Sequence, residues 1–361
     1  MNTPLLPVAP ILVEVTRGGL VESRHRGMIA ACSIDATSVI SHGDTSLRTY
    51  LRSAAKPFQA IPLLVSGAAA RFQFSRQELA MITASHSGEV IHTELVLAIL
   101  RKIGLDESAL LCGAHEPFDE GTAREIHREG IPVSPVHNNC SGKHAGMLAL
   151  ARHLDASFSD YISPTHPVQV LIRETLASFA GCSAESIDLA VDGCSAPVFA
   201  LSLDEMARSY ANLVASEYSL LNGELRSAAA EVVEAMAEFP RLVGGTTGRL
   251  DTELMNATGG AIISKVGAEG VQLLGVRPCE RFPHGLGVAI KIEDGDSRRA
   301  RDPVVIETLR QLGLLDEGQL RKLADYTRPV LRNHRGIEVG EVRACFSLAL
   351  AETPAVGTML A

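Results

Sequence analysis

The chain has 361 residues, about two domains' worth of material at roughly 150 residues each. With 46% hydrophobic and 21% charged residues it is neither disordered nor fibrous, and 31 Gly with 17 Pro fit no collagen-like repeat. A formal net charge of −9 argues against nucleic acid as a partner, and the run Arg298, Arg299, Arg301 is too short to reverse that.

The first forty residues read as strands: Ile11 to Val15, Gly19 to Val21, Gly27 to Ile34 and Ser38 to Ile40, parted by Arg17-Gly18-Gly19 and Asp35-Ala36-Thr37. A mainly helical stretch follows, from about 53 to 239. It holds Arg76 to Ile82, Ile91 to Ile103, Gly121 to Glu129, Lys143 to Leu154, Val168 to Phe179 and a long Ala/Glu-rich segment from Ala211 to Phe239, with one strand, Ile187 to Val191, between them. Strands return at Ile262 to Val266, Val271 to Gly275, Gly287 to Glu293 and Ile337 to Val342, with a helix near Val304 to Leu312. The expected fold class is α/β in the α+β sense: one antiparallel sheet from both termini, packed with a helical middle. One catalytic unit, 1–361, would then have a sheet lobe (1–45 plus 240–361) and a helical lobe (46–239).

The segment MNTPLLPVAPILVEV has no basic leader and is broken by Pro4, Pro7 and Pro10, so it does not read as a secretory signal. No apolar run reaches the roughly 20 residues a bilayer needs. The expectation is a cytoplasmic protein, no membrane partner, and reduced thiols. Its seven cysteines (Cys32, Cys112, Cys140, Cys182, Cys194, Cys279, Cys345) are then mostly small buried hydrophobes. With no Trp and 4% aromatics, the core must rest on Ala, Leu, Val and Ile.

Five segments carry titratable or nucleophilic residues. In Ser53-Ala54-Ala55-Lys56-Pro57, serine and lysine share a helix face at i and i+3, and Pro57 marks the first turn. A serine there faces the positive helix end, and a neutral lysine beside it can act as a base. Taken alone, the same residues are an N-cap and a solvated lysine. Ala84-Ser85-His86-Ser87-Gly88-Glu89 follows an apolar run and is either a site or a cap. In Asn139-Cys140-Ser141-Gly142-Lys143-His144 a cysteine at a helix start beside Lys and His has the setting of a lowered pKa, for a nucleophile or a metal ligand. Asp192-Gly193-Cys194-Ser195-Ala196-Pro197 ends a strand, where ligands gather. Without a C-x-x-C pair the two cysteines make little case for zinc on spacing alone. Arg249-Leu250-Asp251-Thr252 and Ser264-Lys265-Val266-Gly267 place a lysine on a strand with glycine behind it.

Together SAAKPFQ, ASHSGE, NNCSGKHAGML, DGCSAP and GRLDT…KVGAEG closely resemble the asparaginase II domain family, the rhizobial-type (class 3) L-asparaginases, over about residues 9–350. The resemblance implies a fold like that of serine β-lactamases and glutaminases, a homodimer, and L-asparagine as substrate. It implies Ser53 and Lys56 as the catalytic Ser-x-x-Lys, Ser85 as a second active-site serine, and Lys265 as the lysine paired with it. Cys140, Lys143 and Cys194 match zinc ligands, with water completing the shell. Arg52, His86, Asp192 and His144 match positions around substrate and metal, Arg52 and Asp192 having charges suited to the α-groups of an amino acid. Ser53 is the favoured nucleophile because of its helix start, with Ser85 as the open alternative. The competing functions are a related amidohydrolase, such as a glutaminase or a β-lactam-hydrolysing enzyme, and a zinc-dependent amino-acid-binding protein without turnover.

Overall fold

The computed structural model describes residues 8–215 and 217–349. The leader-free reading rests partly on residues 1–7, which lie outside them. Eleven strands occur among the described residues: β1 (Ile11–Arg17), β2 (Leu20–Cys32), β3 (Ser38–His42), β4 (Arg48–Tyr50), β5 (Asp188–Val191), β6 (Pro197–Ser202), β7 (Ile262–Gly267), β8 (Val271–Val276), β9 (Leu286–Ile292), β10 (Val330–Arg332) and β11 (Glu338–Ala344). Eight of them form one sheet, ordered β10-β11-β1-β2-β9-β8-β7, with β3 also on β2. Every pairing is antiparallel, so strands from both ends of the chain interleave as the sequence suggests.

The sheet has a core on each face because side chains alternate along a strand. On β2, Met28, Ala30 and Cys32 pack toward the helical region. Ile29 and Ala31, between them, join a second core with Val304, Val305 and Leu309 of the Asp302–Gln311 helix. The Leu203–Val214 helix lies so close to β9 that a Cβ at Gly287 would sit 1.7 Å from the Ala207 carbonyl oxygen. Small residues at this seam let backbones approach, and a core without tryptophan can still pack densely.

Several elements differ from the sequence reading, which lacks β10 and the Leu250–Ala257 helix among others. The two segments read between Gly19 and Ile34 are one 13-residue strand, β2, whose outer half alternates half-buried and exposed residues. The single long helix is two, Leu203–Val214 and Gly223–Glu238. Each has its own start: Ser202 and Glu205 form a capping box, and the Asn222 side chain accepts from Leu225 N–H. The strand near Ile187 is part of a small sheet, β4-β6-β5, whose β4 and β6 are short or uniformly buried and so lack the alternation that reveals a strand.

Gly287→Ala should lower stability by about 1–3 kcal/mol, the usual range for forcing volume into a packed contact. A urea midpoint equal to wild type would remove this account of the seam.

Candidate active site

Arg52–Ala55 make one 3₁₀ turn, and the Lys56–Val65 helix starts where it ends, with Pro57 in its first turn. Pro62 sits inside this helix without ending it. Arg52 takes a left-handed φ of 52°, a conformation that costs a non-glycine residue and that its partners must hold. Its Nε donates to Asp192 Oδ1 at 2.9 Å. Ser53 is half-buried and Lys56 has no exposed surface.

The Lys56 amine does not bond to Ser53 among the described residues. It donates to the Ala84 carbonyl (2.5 Å) and the Asn139 carbonyl (3.2 Å), and lies 2.9 Å from Ser85 Oγ. Burial pushes this amine below its ordinary value. Ser85, itself buried, meets a second amine on its other side, Lys265 Nζ at 2.8 Å. Lys265 projects from β7 and is also fully buried. Burial brings its pKa down to about 7, against the opposing pull of Asp251.

The segment carrying Ser85 is tied at several points. Ser85 N–H donates to the Val243 carbonyl (2.9 Å). Arg249 donates to the Ser85 carbonyl (2.6 Å) and to Ser87 Oγ (3.0 Å). His86 gives one ring nitrogen to Ser141 Oγ (2.9 Å), and the other accepts from Gly88 N–H (3.1 Å). Both nitrogens of His86 thus have partners within the protein, one of them Ser141 of the Ser141–His153 helix.

Cys140 stands just before the Ser141–His153 helix. That helix start is pressed against the end of the Arg76–Ile82 helix: a Cβ at Gly142 would sit 2.2 Å from the Met81 carbonyl oxygen. Lys143, one turn in, donates to Cys194 Sγ at 2.9 Å. Cys194 lies in the turn between β5 and β6, closed by Asp192 N–H on the Ala196 carbonyl. The Cys140 thiol donates to Asn139 Oδ1 (3.4 Å). Cys140 and Lys143 beside it bring the Cys194 thiol down to about 4. The neighbouring Cys194, with burial, pushes Cys140 up to about 12. Burial would raise the Asp192 carboxyl, but Lys143 and Arg52 outweigh it and hold the carboxyl low.

Two sulfurs and an amine therefore converge, one sulfur already a thiolate, and this donor set fits a borderline-soft cation such as zinc. Among the described residues no group of three or more His, Cys, Asp or Glu is placed to hold a metal, so a three-ligand protein site here would have to include Lys143. His144, next in the helix, turns Nδ1 to the Tyr161 hydroxyl (2.7 Å), and its Nε2 has no partner among the described residues. Burial, then Lys143, takes its pKa down to about 3, so the ring is neutral.

The structure thus gathers Lys56, Ser85 and Lys265 on one hydroxyl, Cys140, Lys143 and Cys194 on one sulfur pair, and Arg52 with Asp192. The sequence reading gave Asn139 only as a plausible helix cap and assigned no role to Tyr161, Arg249 or Asp251; these residues contact Lys56, His144, Ser85 and Lys265 in turn. Arg249 and Asp251 stand in the GRLDT segment, a basic and an acidic residue just ahead of the lysine strand, which is the signal that points to them.

The family model for L-asparaginase II matches residues 13–344. No curated protein matches the chain. Among solved structures the chain is similar to a probable glutaminase from Bacillus subtilis complexed with 6-diazo-5-oxo-L-norleucine, at 14% identity and a TM-score of 0.38, covering 80% of this chain and 84% of that one. It is also similar to Mglu in its native form, at 16% identity and a TM-score of 0.44, covering 84% and 69%. The match along 13–344 takes in every one of the site residues above, and the chain belongs to the L-asparaginase II family, as an amidohydrolase of a small-molecule substrate.

Proposed function

We propose that the protein is an L-asparaginase, which hydrolyses the side-chain amide of L-asparagine to L-aspartate and ammonia by Ser–Lys chemistry. The observation that carries this reading is the Ser85 hydroxyl held by two buried amines, in a site that also holds the Arg52–Asp192 pair. A lysine is a base only when neutral. The neighbours of Lys56 suit that state: Ala84 and Asn139 present carbonyls, which only accept. A neutral amine gives both of its N–H bonds to them and keeps its lone pair for a hydroxyl proton.

Ser53 is the proposed nucleophile. It is partly accessible, follows Arg52 directly, and precedes Lys56 by one 3₁₀ turn, in which i and i+3 side chains eclipse. Ser53 Oγ attacks the amide carbon and its proton passes to Lys56. The positive end of the Lys56–Val65 helix favours the oxyanion that forms. The C–N bond then breaks as Lys56 returns the proton to nitrogen, so that ammonia leaves and an aspartyl ester remains on Ser53. Water, losing a proton to Lys56, attacks the ester, and aspartate departs as Ser53 regains its proton. Ser85 passes protons between Lys56 and Lys265, since its hydroxyl donates to one amine while accepting from the other. A second reading, favoured by the direct Lys56–Ser85 contact, makes Ser85 the nucleophile.

Arg52 and Asp192 are proposed to take the α-carboxylate and α-amino groups, and His144 keeps Nε2 for a substrate acceptor. Cys140, Lys143 and Cys194 are proposed to hold zinc, which when bound supplies a cation that orients the substrate. Lys143 and the protonated thiol must each lose a proton to bind it. The expected homodimer and cytoplasmic location belong to the same reading.

Ammonia release should favour asparagine over glutamine in kcat/KM by about 10–200-fold, the discrimination available from one methylene. Equal or better release from glutamine would make the protein a glutaminase, and none from either would leave an amino-acid-binding protein. A diazoketone analogue of asparagine should label Ser53, read by peptide mass mapping, and Ser53→Ala should lose at least about 10³-fold in kcat. Label on Ser85 instead would transfer the nucleophile's role. Cys140→Ala with Cys194→Ala should abolish bound zinc in elemental analysis, and stoichiometric zinc in that variant would refute the site.

A further inference from the structure

Asp251 is a carboxylate sealed inside the protein, with only 3% of its surface exposed. It stands in the first turn of the Leu250–Ala257 helix, which lies along β7, the edge strand of the large sheet. One oxygen accepts from Ser264 Oγ (2.8 Å) and Gln272 Nε2 (2.9 Å). The other accepts from Val266 N–H (2.9 Å), a donor that an edge strand would otherwise leave free, and lies 3.7 Å from Lys265 Nζ. Three hydrogen bonds and a nearby amine are an unusual investment in one buried residue that no step above employs. A carboxylate so held is ionised, because every partner donates to it. Its charge reaches Lys265 through a dry interior, where charges act strongly.

We infer that Asp251 is the positioning residue that holds the proton on Lys265, and thereby sets the direction in which the Lys56–Ser85–Lys265 chain moves protons. An ammonium at Lys265 has three N–H bonds. The geometry provides two hydrogen-bond acceptors, Ser85 Oγ at 2.8 Å and the Val266 carbonyl at 3.4 Å, and an ion-pair partner in Asp251 Oδ2 at 3.7 Å. Lys56 faces only carbonyls besides Ser85 and has no carboxylate among its hydrogen-bond partners. The two amines on one hydroxyl are thus unlike: Lys265 has the buried Asp251 carboxylate beside it, whereas the acidic groups acting on Lys56 are the sulfurs of Cys140 and Cys194. With the proton on Lys265, the Ser85 oxygen accepts from that side and its own hydrogen points at Lys56. Removing the charge of Asp251 removes the bias, and Lys265 loses its proton more readily.

The charged and titratable groups acting on Lys265 are Asp251, Lys56, Arg249 and Cys140. Of these Asp251 raises its pKa, Lys56 and Arg249 lower it, and burial lowers it most. Asp251 in turn has Arg249 and Asp302 within electrostatic reach. The sign follows: Asp251 opposes the fall of Lys265, so a neutral residue at 251 lets Lys265 fall further.

This inference rests on the asparaginase reading, and its test keeps the two apart. The pH profile of asparagine-dependent ammonia release is measured for wild type, Asp251→Asn and Asp251→Glu. Asn keeps an oxygen for Val266 N–H and loses the charge, while Glu keeps the charge. In wild type, kcat changes near pH 7 as Lys265 titrates. In Asp251→Asn that inflection moves to lower pH by about 1–3 units, the usual effect of losing an opposite charge at this range. The change appears in kcat, with KM moved by less than about twofold, because Asp251 touches no substrate. Asp251→Glu stays within about half a unit of wild type. If Asp251→Asn does not fold, Asp251→Ser serves as the neutral variant. An inflection unmoved in the folded neutral variant, or moved as far by Glu as by Asn, overturns the inference while leaving an active wild type as an asparaginase. A wild type with no activity on asparagine overturns the functional reading instead.

Discussion

Two lysines without access to water share the hydroxyl of one serine, and much of the surrounding structure answers to that constraint. Burying an amine in its charged form is costly, so each must either give up its proton or find acceptors. Lys56 finds two main-chain carbonyls, from Ala84 and Asn139, on two different segments. Lys265 finds Ser85, a carbonyl and the Asp251 carboxylate. The arrangement keeps the pKa values of both amines below those of surface lysines, and that of Lys265 falls to about 7, where a lysine can exchange protons near neutral pH.

That constraint also explains why the site is built at a seam. Lys265 comes from the edge of the large sheet, Lys56 from the first turn of a helix, Ser85 from a loop end, and Cys140 from the start of another helix. Helix ends and loops leave carbonyls unpaired, and the two carbonyls on Lys56 come from such places, Ala84 just past the Arg76–Ile82 helix and Asn139 in the turn ahead of the Ser141–His153 helix. The segments are then fixed by their own contacts. His86 joins Ser85's segment to Ser141 through one ring nitrogen and accepts the Gly88 N–H with the other, and Arg249 also donates to that segment. Close approach at Gly142 sets the depth of Cys140 and Lys143 relative to Ser85. Such support, spread over several elements, is what holds reacting groups within hydrogen-bond reach.

The zinc-ligand candidates and the amine pair are electrostatically one site. Cys140 and Cys194 act on the Lys56 amine, and Lys143 acts on Cys194 and Asp192. The charges alternate through the pocket: a thiolate at Cys194 beside an ammonium at Lys143, and a carboxylate at Asp192 beside the Arg52 guanidinium. No helix among the described residues is long and apolar enough to cross a membrane. A small polar substrate recognised by such charges needs no aromatic platform, in keeping with a chain that has no tryptophan.

The sequence by itself determined the interleaved sheet and the residue types of the site. β-Branched alternation marked most strands, and Ser, Lys and Cys at helix starts stood out because Pro57 and the Asn139–Gly142 segment locate those starts. Sequence spacing also suggested that Lys56 serves Ser53, since i and i+3 share a helix face. Only the tertiary structure decided that its amine turns to Ser85 instead, because the acceptors that hold it come from Ala84 and Asn139, far along the chain. Likewise the family resemblance puts His86 around the substrate and metal, and only the fold shows its ring meeting Ser141 and Gly88. Asp251 was invisible as a partner of Lys265 until the Leu250–Ala257 helix lay against β7. Local sequence dictates which groups stand at element ends. Which of them share a proton depends on long-range packing, since hydrogen bonds act over about 3 Å in space and take no account of distance along the chain.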